Sequence, residues 1–343
     1  MKKTIYMLLG LLLAAGLTSC QDWFIEKPEV TGMDQDEVFS TAKNAEGAIA
    51  EAYATILSSG LPVLVWNNSP IMPYETTEAI MGGEDLCRLT WGYMDKQVVA
   101  GMLANNENNG AGYTDDYFPN NYAYIRKAWL VYENIDKVAD MSDRDKAIVK
   151  AEMQVLVAFR YVEMLKRYGG VPLVESTLTT VDVRPRSTVQ QTLDFIVGLC
   201  DAAAATLEGV RWPADWLGRV NKGVALAVKA EALMYAARPL FNADAPYMQM
   251  ADPANNEMIW LGGYDAKRWE TARLANQEVI DWGKANGFEL IDTGDPIKDY
   301  GTAVGTPSNR EVLLAYKQQR EADDNGIYKN YTFMPTHTGH DLG

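Results

Sequence analysis

Residues 151–174, AEMQVLVAFRYVEMLKRYGGVPLV, decide how the rest of the chain is read. Ala151, Val155, Phe159 and Val162 continue a series begun at Ile148, at the three- and four-residue spacing that lines one face of an α-helix. Ser142 stands at the N-cap position of this helix, where a hydroxyl satisfies first-turn N–H groups. Gly169-Gly170 ends it, since glycine accepts the backbone that closes a helix, and Val171-Pro172 forces extended chain beyond.

The same spacing recurs on either side. Val38, Ala42, Ala45, Ile49, Ala52 and Ile56 predict one long helix from a capping box at Asp34 and Glu37 to a stop at Gly60. A second runs from about Tyr117 to Ala139 through Tyr122, Ile125, Trp129 and Tyr132. After the central helix, a Ser187/Gln190 capping box opens a helix that buries Val189, Leu193, Ile196, Cys200 and Leu207. Asn221 to Phe241 is so rich in alanine that a neighbouring helix can approach closely. The last clear helix follows Asp265, carries Trp269, Ala272, Asn276 and Val279, and stops at Gly287. Helices of similar length arriving in pairs predict an all-α fold of stacked, tetratricopeptide-like hairpins. No alternation of helix and strand points to a nucleotide-binding or barrel enzyme. Long polar, aromatic-rich connections at 59–93, 105–119, 181–186 and 208–217 are where function is expected.

The front end reads separately. Lys2 and Lys3 precede an apolar stretch, Ile5 to Leu17, too short to span a bilayer as a stable helix, and Leu17-Thr18-Ser19-Cys20 resembles a bacterial lipobox. On that reading residues 1–19 are a lipoprotein signal peptide, Cys20 is the lipidated first residue, and 20–33 form a tether. Each buried methylene contributes ~0.8 kcal/mol, so several acyl chains on one residue hold a protein at a membrane. The acidic Asp22 and Glu26 in the tether resemble the signal that sends some lipoproteins to the cell surface. A secreted protein whose signal happens to contain a cysteine is the alternative.

The 31 basic and 46 acidic side chains leave a net charge of −15, which becomes −17 once Lys2 and Lys3 leave with the signal. Such a surface repels phosphate backbones, so nucleic acid is not an expected partner. Beyond Cys20 only Cys87 and Cys200 remain, which is not a disulfide framework, and both are expected to be buried apolar thiols. The only histidines, His337 and His340, lack a third ligand, so no metal or cofactor is expected. Serine-hydrolase and nucleotide-loop motifs are absent. Acid pairs such as Asp115-Asp116 and Asp323-Asp324 keep a glycosidase open as an alternative. Planar rings stand out instead: Trp66, Trp91, Tyr93, Tyr113, Trp212, Trp216, Trp260 and Tyr264 lie in connections, where an indole or phenol face suits the apolar face of a sugar. The competing reading is that many of these rings plug onto the helical scaffold.

Several segments together resemble the SusD/RagB family of outer-membrane nutrient-binding lipoproteins. In residues 151–174, Glu152, Leu156, Ala158, Tyr161, Tyr168, Gly169, Val171, Pro172 and Leu173 fit that family's central helix and the turn after it, while Met153 and Val157 depart from it. YAYIRKAWLVYENID from Tyr122 resembles the preceding helix, with Trp129 where asparagine is common. GRVNKGVALAVKAEALMYAA from Gly218 is similar to its alanine-rich helix, with Glu231 in place of arginine. RWETARLANQEVI from Arg268 and NREVLLAYK from Asn309 continue the match.

The resemblance implies four helical hairpins with irregular ligand-binding loops, no catalysis, and a surface lipoprotein that captures oligosaccharides. It implies as partner a SusC-like TonB-dependent transporter. It also implies that 34–343 is the family's helical domain without its C-terminal part. A lipid-anchored glycoside hydrolase and a helical-repeat assembly lipoprotein are the rival functions. For the site, location and chemistry nominate Trp66, Arg88, Trp91 and Tyr93 in the 59–93 connection, with Trp260 and Tyr264 as a second group. Stacking on a sugar face combined with a guanidinium donor explains why those types occur together. Alternatively, Trp91 and Tyr93 begin the next helix and pack inward.

Overall fold

A computed structural model describes residues 34–58, 65–66, 69–70, 118–178, 183–306 and 309–315. Cys20, Arg88, Trp91, Tyr93, Cys87, His337 and His340 lie outside them, and of Trp66 only the backbone is described. The helices are α1 (Gln35–Val38), α2 (Ala42–Ser58), α3 (Phe118–Asn134), α4 (Asp143–Tyr168), α5 (Val189–Thr206), α6 (Lys222–Ala237), α7 (Lys267–Asn286) and α8 (Pro296–Gly305). A two-residue antiparallel ladder pairs Val65 with Pro70 and Trp66 with Ser69.

From α2 to α7, each helix packs on the next in sequence, and α4 also touches α2 and α6. This is the stacked, tetratricopeptide-like all-α arrangement expected from the paired helices. The middle of α4 is therefore enclosed on nearly every side. Val155, Leu156, Val157, Ala158, Tyr161, Val162 and Leu165 are all buried, which no single stripe of residues would require. Full burial of each such aliphatic side chain contributes about 1.5–3 kcal/mol.

The ends of α4 form as the sequence predicts. Ser142 Oγ accepts the Asp145 N–H at 3.1 Å, and Gly169 closes the helix at φ 72°. Gly170 is required for a different reason, because a Cβ there would collide with the Ser187 carbonyl. Its N–H donates to Met258 O at 2.7 Å. Arg186 donates to the carbonyls of Gly170 and Tyr168 at 2.8 and 2.5 Å, tying the turn to the start of α5. The thiol of Cys200 is buried as expected, and burial pushes its pKa up to about 12.

Several boundaries differ from the sequence reading. The single helix expected from Asp34 to Gly60 is two. Asp34 caps only the one-turn α1, accepting from Glu37 N–H at 2.8 Å, and Phe39 then turns into the core at 1% exposure. Thr41 restarts the helix by accepting from Asn44 N–H, while Asp140 accepts from Ala42 N–H at 2.7 Å. The helix expected to reach Ala139 stops at Asn134 and tightens into a 3-10 turn, Ile135–Lys137. The capping box of α5 is Thr188/Gln191, one residue later than expected, because Ser187 is still extended and donates its N–H to Val171 O. Helix α6 ends at Ala237 instead of Phe241, since Pro239 holds Arg238 in the extended region at ψ 156°. Helix α8, capped by Asp295 ahead of Pro296, is an addition to the sequence reading.

Among the described residues no helix is long and apolar enough to cross a membrane. No group of three or more metal-ligating side chains occurs among them either.

Candidate functional site

One face of α2 and the connection after α5 enclose a cleft of about 260 Å³. Glu46, Ile49, Ala50, Tyr53, Ala54 and Leu57 form its helical wall, each three or four residues from the next or beside it on the same face. Asp215, Trp216, Leu217, Gly218 and Arg219 form the opposite wall.

Two of the lining residues, Tyr53 and Arg219, belong to a polar cluster centred behind the wall. Glu152 of α4 is fully buried, and Arg219 meets it from two nitrogens, Nε to Oε1 and Nη2 to Oε2, the latter at 2.7 Å. Tyr53 Oη donates to Glu152 Oε1 at 2.5 Å and accepts the Val220 N–H at 3.0 Å. A buried carboxylate is tolerable only with such partners. Burial pushes the Glu152 carboxyl above its ordinary range, and Arg219 pulls it back. Tyr53 is held far above the usual phenol range, first by burial and then by the Glu152 charge.

With its Nε and Nη2 committed to Glu152, Arg219 acts toward the cleft mainly as a platform. Its guanidinium carbon lies 4.4 Å from the Trp212 ring centroid and 4.8 Å from that of Trp216. Cation–π stacking of this kind contributes about 0.5–2 kcal/mol and fixes ring orientation. The two indoles then divide. Trp212 Nε1–H donates to Val220 O at 2.8 Å and its ring is partly buried. Trp216 stays 41% exposed at the mouth, with the carboxylates of Glu46 and Asp215 among the cleft-lining groups. An exposed indole face beside hydrogen-bond acceptors is suited to a polyhydroxylated ring.

Trp260 and Tyr264 occupy a separate connection, between α6 and α7. Trp260 Nε1–H donates to Ala243 O at 2.7 Å, so its ring edge is spent on the scaffold. Tyr264 is 57% exposed. Arg268 steadies this segment by donating to Leu261 O, Gly263 O and Asn242 Oδ1. Among the nominated aromatics, only this pair can be placed with side chains.

Sequence reasoning singled out Trp212 and Trp216 as loop aromatics but missed Tyr53 and Arg219, which organise them. One signal was present: Glu152 sits within the apolar run of α4, and an acid there demands a cation from elsewhere in the chain.

Residues 89–232 match the SusD-like_3 family model, described as starch-binding associating with outer membrane. No curated protein matches this chain. Among solved structures, BT4246 is 25% identical with a TM-score of 0.57, the match covering 74% of this chain and 42% of that one. A SusD-like protein from Bacteroides fragilis NCTC 9343 is 20% identical with a TM-score of 0.52, over 83% of this chain and 46% of its own. A SusD-like carbohydrate binding protein from Bacteroides vulgatus ATCC 8482 is 14% identical at a TM-score of 0.54, over 82% and 52%. The chain thus spans about half or less of the length of these structures, and the two more distant ones speak for the fold alone.

Proposed function

We propose, for a chain whose residues 89–232 match the SusD-like_3 family model, a lipid-anchored glycan-binding protein of the outer bacterial surface. It captures oligosaccharides and hands them to a SusC-like TonB-dependent transporter, without catalysing their cleavage. The observation that carries this reading is the family match, described as starch-binding associating with outer membrane. The lipobox at Cys20 supports the anchor, and the exposed Trp216 ring beside Glu46 and Asp215 supports a sugar-facing surface.

We assign ligand contacts to Trp216 and, from their place in the sequence, to Trp66, Arg88, Trp91 and Tyr93, with Trp260 and Tyr264 as a second group. Trp260, whose edge is bonded to Ala243 O, offers only its ring face.

The deciding experiment passes the purified chain over immobilised polysaccharides and assays the same mixtures for new reducing ends. Retention without sustained release of reducing ends is the expected result. Sustained release abolished by a single carboxylate substitution would replace the binding reading with a hydrolase. The anchor is tested by Cys20→Ala, which should leave the membrane fraction while remaining folded. The transporter is tested by co-purification with a large outer-membrane barrel through about 0.5 M salt, where long-range charge attraction is heavily screened.

A further inference from the structure

A second cavity, of about 400 Å³, lies away from the Trp216 cleft, between the start of α3 and the chain that leaves α4. Its lining divides into two chemistries. Ala123, Pro172, Val174 and Leu178 supply apolar surface, whereas Tyr122, Ser176, Arg126 and Arg184 supply polar groups. No carboxylate lines it among the described residues.

The two guanidiniums are held differently. Arg184 Nη1 donates to Leu173 O at 2.8 Å, which fixes its side chain at the cavity wall. Arg126, exposed on α3, makes no hydrogen bond or ion pair among the described residues. Glu133, also on α3, does not line the cavity and accepts from Thr177, from N–H at 2.8 Å and from Oγ at 2.5 Å. Tyr122 Oη donates to Pro172 O at 3.0 Å, and this bond braces the apolar floor against α3.

We infer that this cavity binds a sugar carrying a carboxylate, a hexuronate unit of an acidic oligosaccharide, with Arg126 and Arg184 taking the carboxylate. A uronate ring has an apolar C–H face, hydroxyls around its edge and one planar anion. The cavity offers apolar floor, the Ser176 hydroxyl and two forked cations in the same combination, at a volume ordinary for a small-ligand site. The surrounding charge sharpens selection. A chain of net charge −15 repels anions at long range, so an acidic ligand is held only where guanidiniums converge on it at short range. The inference rests on the glycan-binding reading and names the class of glycan.

The test compares oligosaccharides of galacturonate, glucuronate and mannuronate with their methyl esters, which keep the rings and lose the charge, alongside neutral malto-oligosaccharides. Binding to the full chain is measured by calorimetry at about 0.15 M salt, an ionic strength with a Debye length of about 8 Å. At least one acid should bind about tenfold or more tightly than its ester. Arg126→Gln and Arg184→Gln should each remove that preference at unchanged melting temperature, while Lys284→Gln, an exposed lysine on α7, should retain it. Equal binding of acids and esters, or a preference surviving both arginine variants, overturns the acidic site and leaves the glycan reading intact. Binding of no saccharide of any kind overturns both.

Discussion

Glu152 and Arg219, 67 residues apart, form a two-point ion pair whose carboxylate is wholly buried and whose cation stacks on the indoles of Trp212 and Trp216. Removing one member leaves the other without its counter-charge. Arg219→Met should lower unfolding free energy by about 3–5 kcal/mol, measured by urea titration. Adding Glu152→Gln should recover part of that loss, because no buried acid then lacks a cation.

The two indoles stacked on Arg219 are expected to respond oppositely. Trp216→Ala should weaken saccharide binding by roughly 1–3 kcal/mol with little change in melting temperature, as for an exposed anchor. Trp212→Ala loses the bond to Val220 O and partly buried ring contacts, and should cost about 2–4 kcal/mol of stability. Calorimetry with ligand and thermal scans without it separate the two effects.

The alanine-rich α6 does allow close approach. Gly223 lies against the Trp282 ring of α7, and a Cβ at 223 would collide with it. Gly223→Ala should therefore destabilise by about 1–3 kcal/mol despite the higher helix propensity of alanine. Trp282→Leu in the same background should relieve the clash, as read from the denaturation midpoint.

Three phenols predict loss of stability in alkali. Burial raises the pKa of Tyr53, Tyr122 and Tyr161 above the ordinary value near 10, with the Glu152 charge adding to the shift at Tyr53. Below pH 10 both folded and unfolded chains keep these protons, and the contribution is complete. Above it the unfolded chain ionises first, so stability should fall by up to about 1.4 kcal/mol per pH unit for each tyrosine. The decline continues until the folded pKa values are reached. Denaturation at pH 9 and pH 11 measures the slope, and Tyr161→Phe should flatten it.

Much of the scaffold was legible because periodicity, caps and stops are local. Ser142, Gly169, Asn221 and Gly287 mark helix ends where the sequence reading places them. Two of the misreadings share one cause. The break at Phe39 and the one-residue shift of the α5 cap depend on partners far along the chain: Asp140 accepts from Ala42 N–H, and Ser187 N–H donates to Val171 O.

By itself the sequence determined the helical class, the order of its helices and the acidic charge, because spacing and composition are properties of contiguous residues. Only the tertiary structure decided which aromatics are plugs and which face solvent. That choice is made by Arg219, pinned to Glu152 from another helix, and by the carbonyls of Val220 and Ala243 that claim the Trp212 and Trp260 N–H groups. A ring's exposure depends on what the folded chain brings against it, and no run of neighbouring residues encodes that.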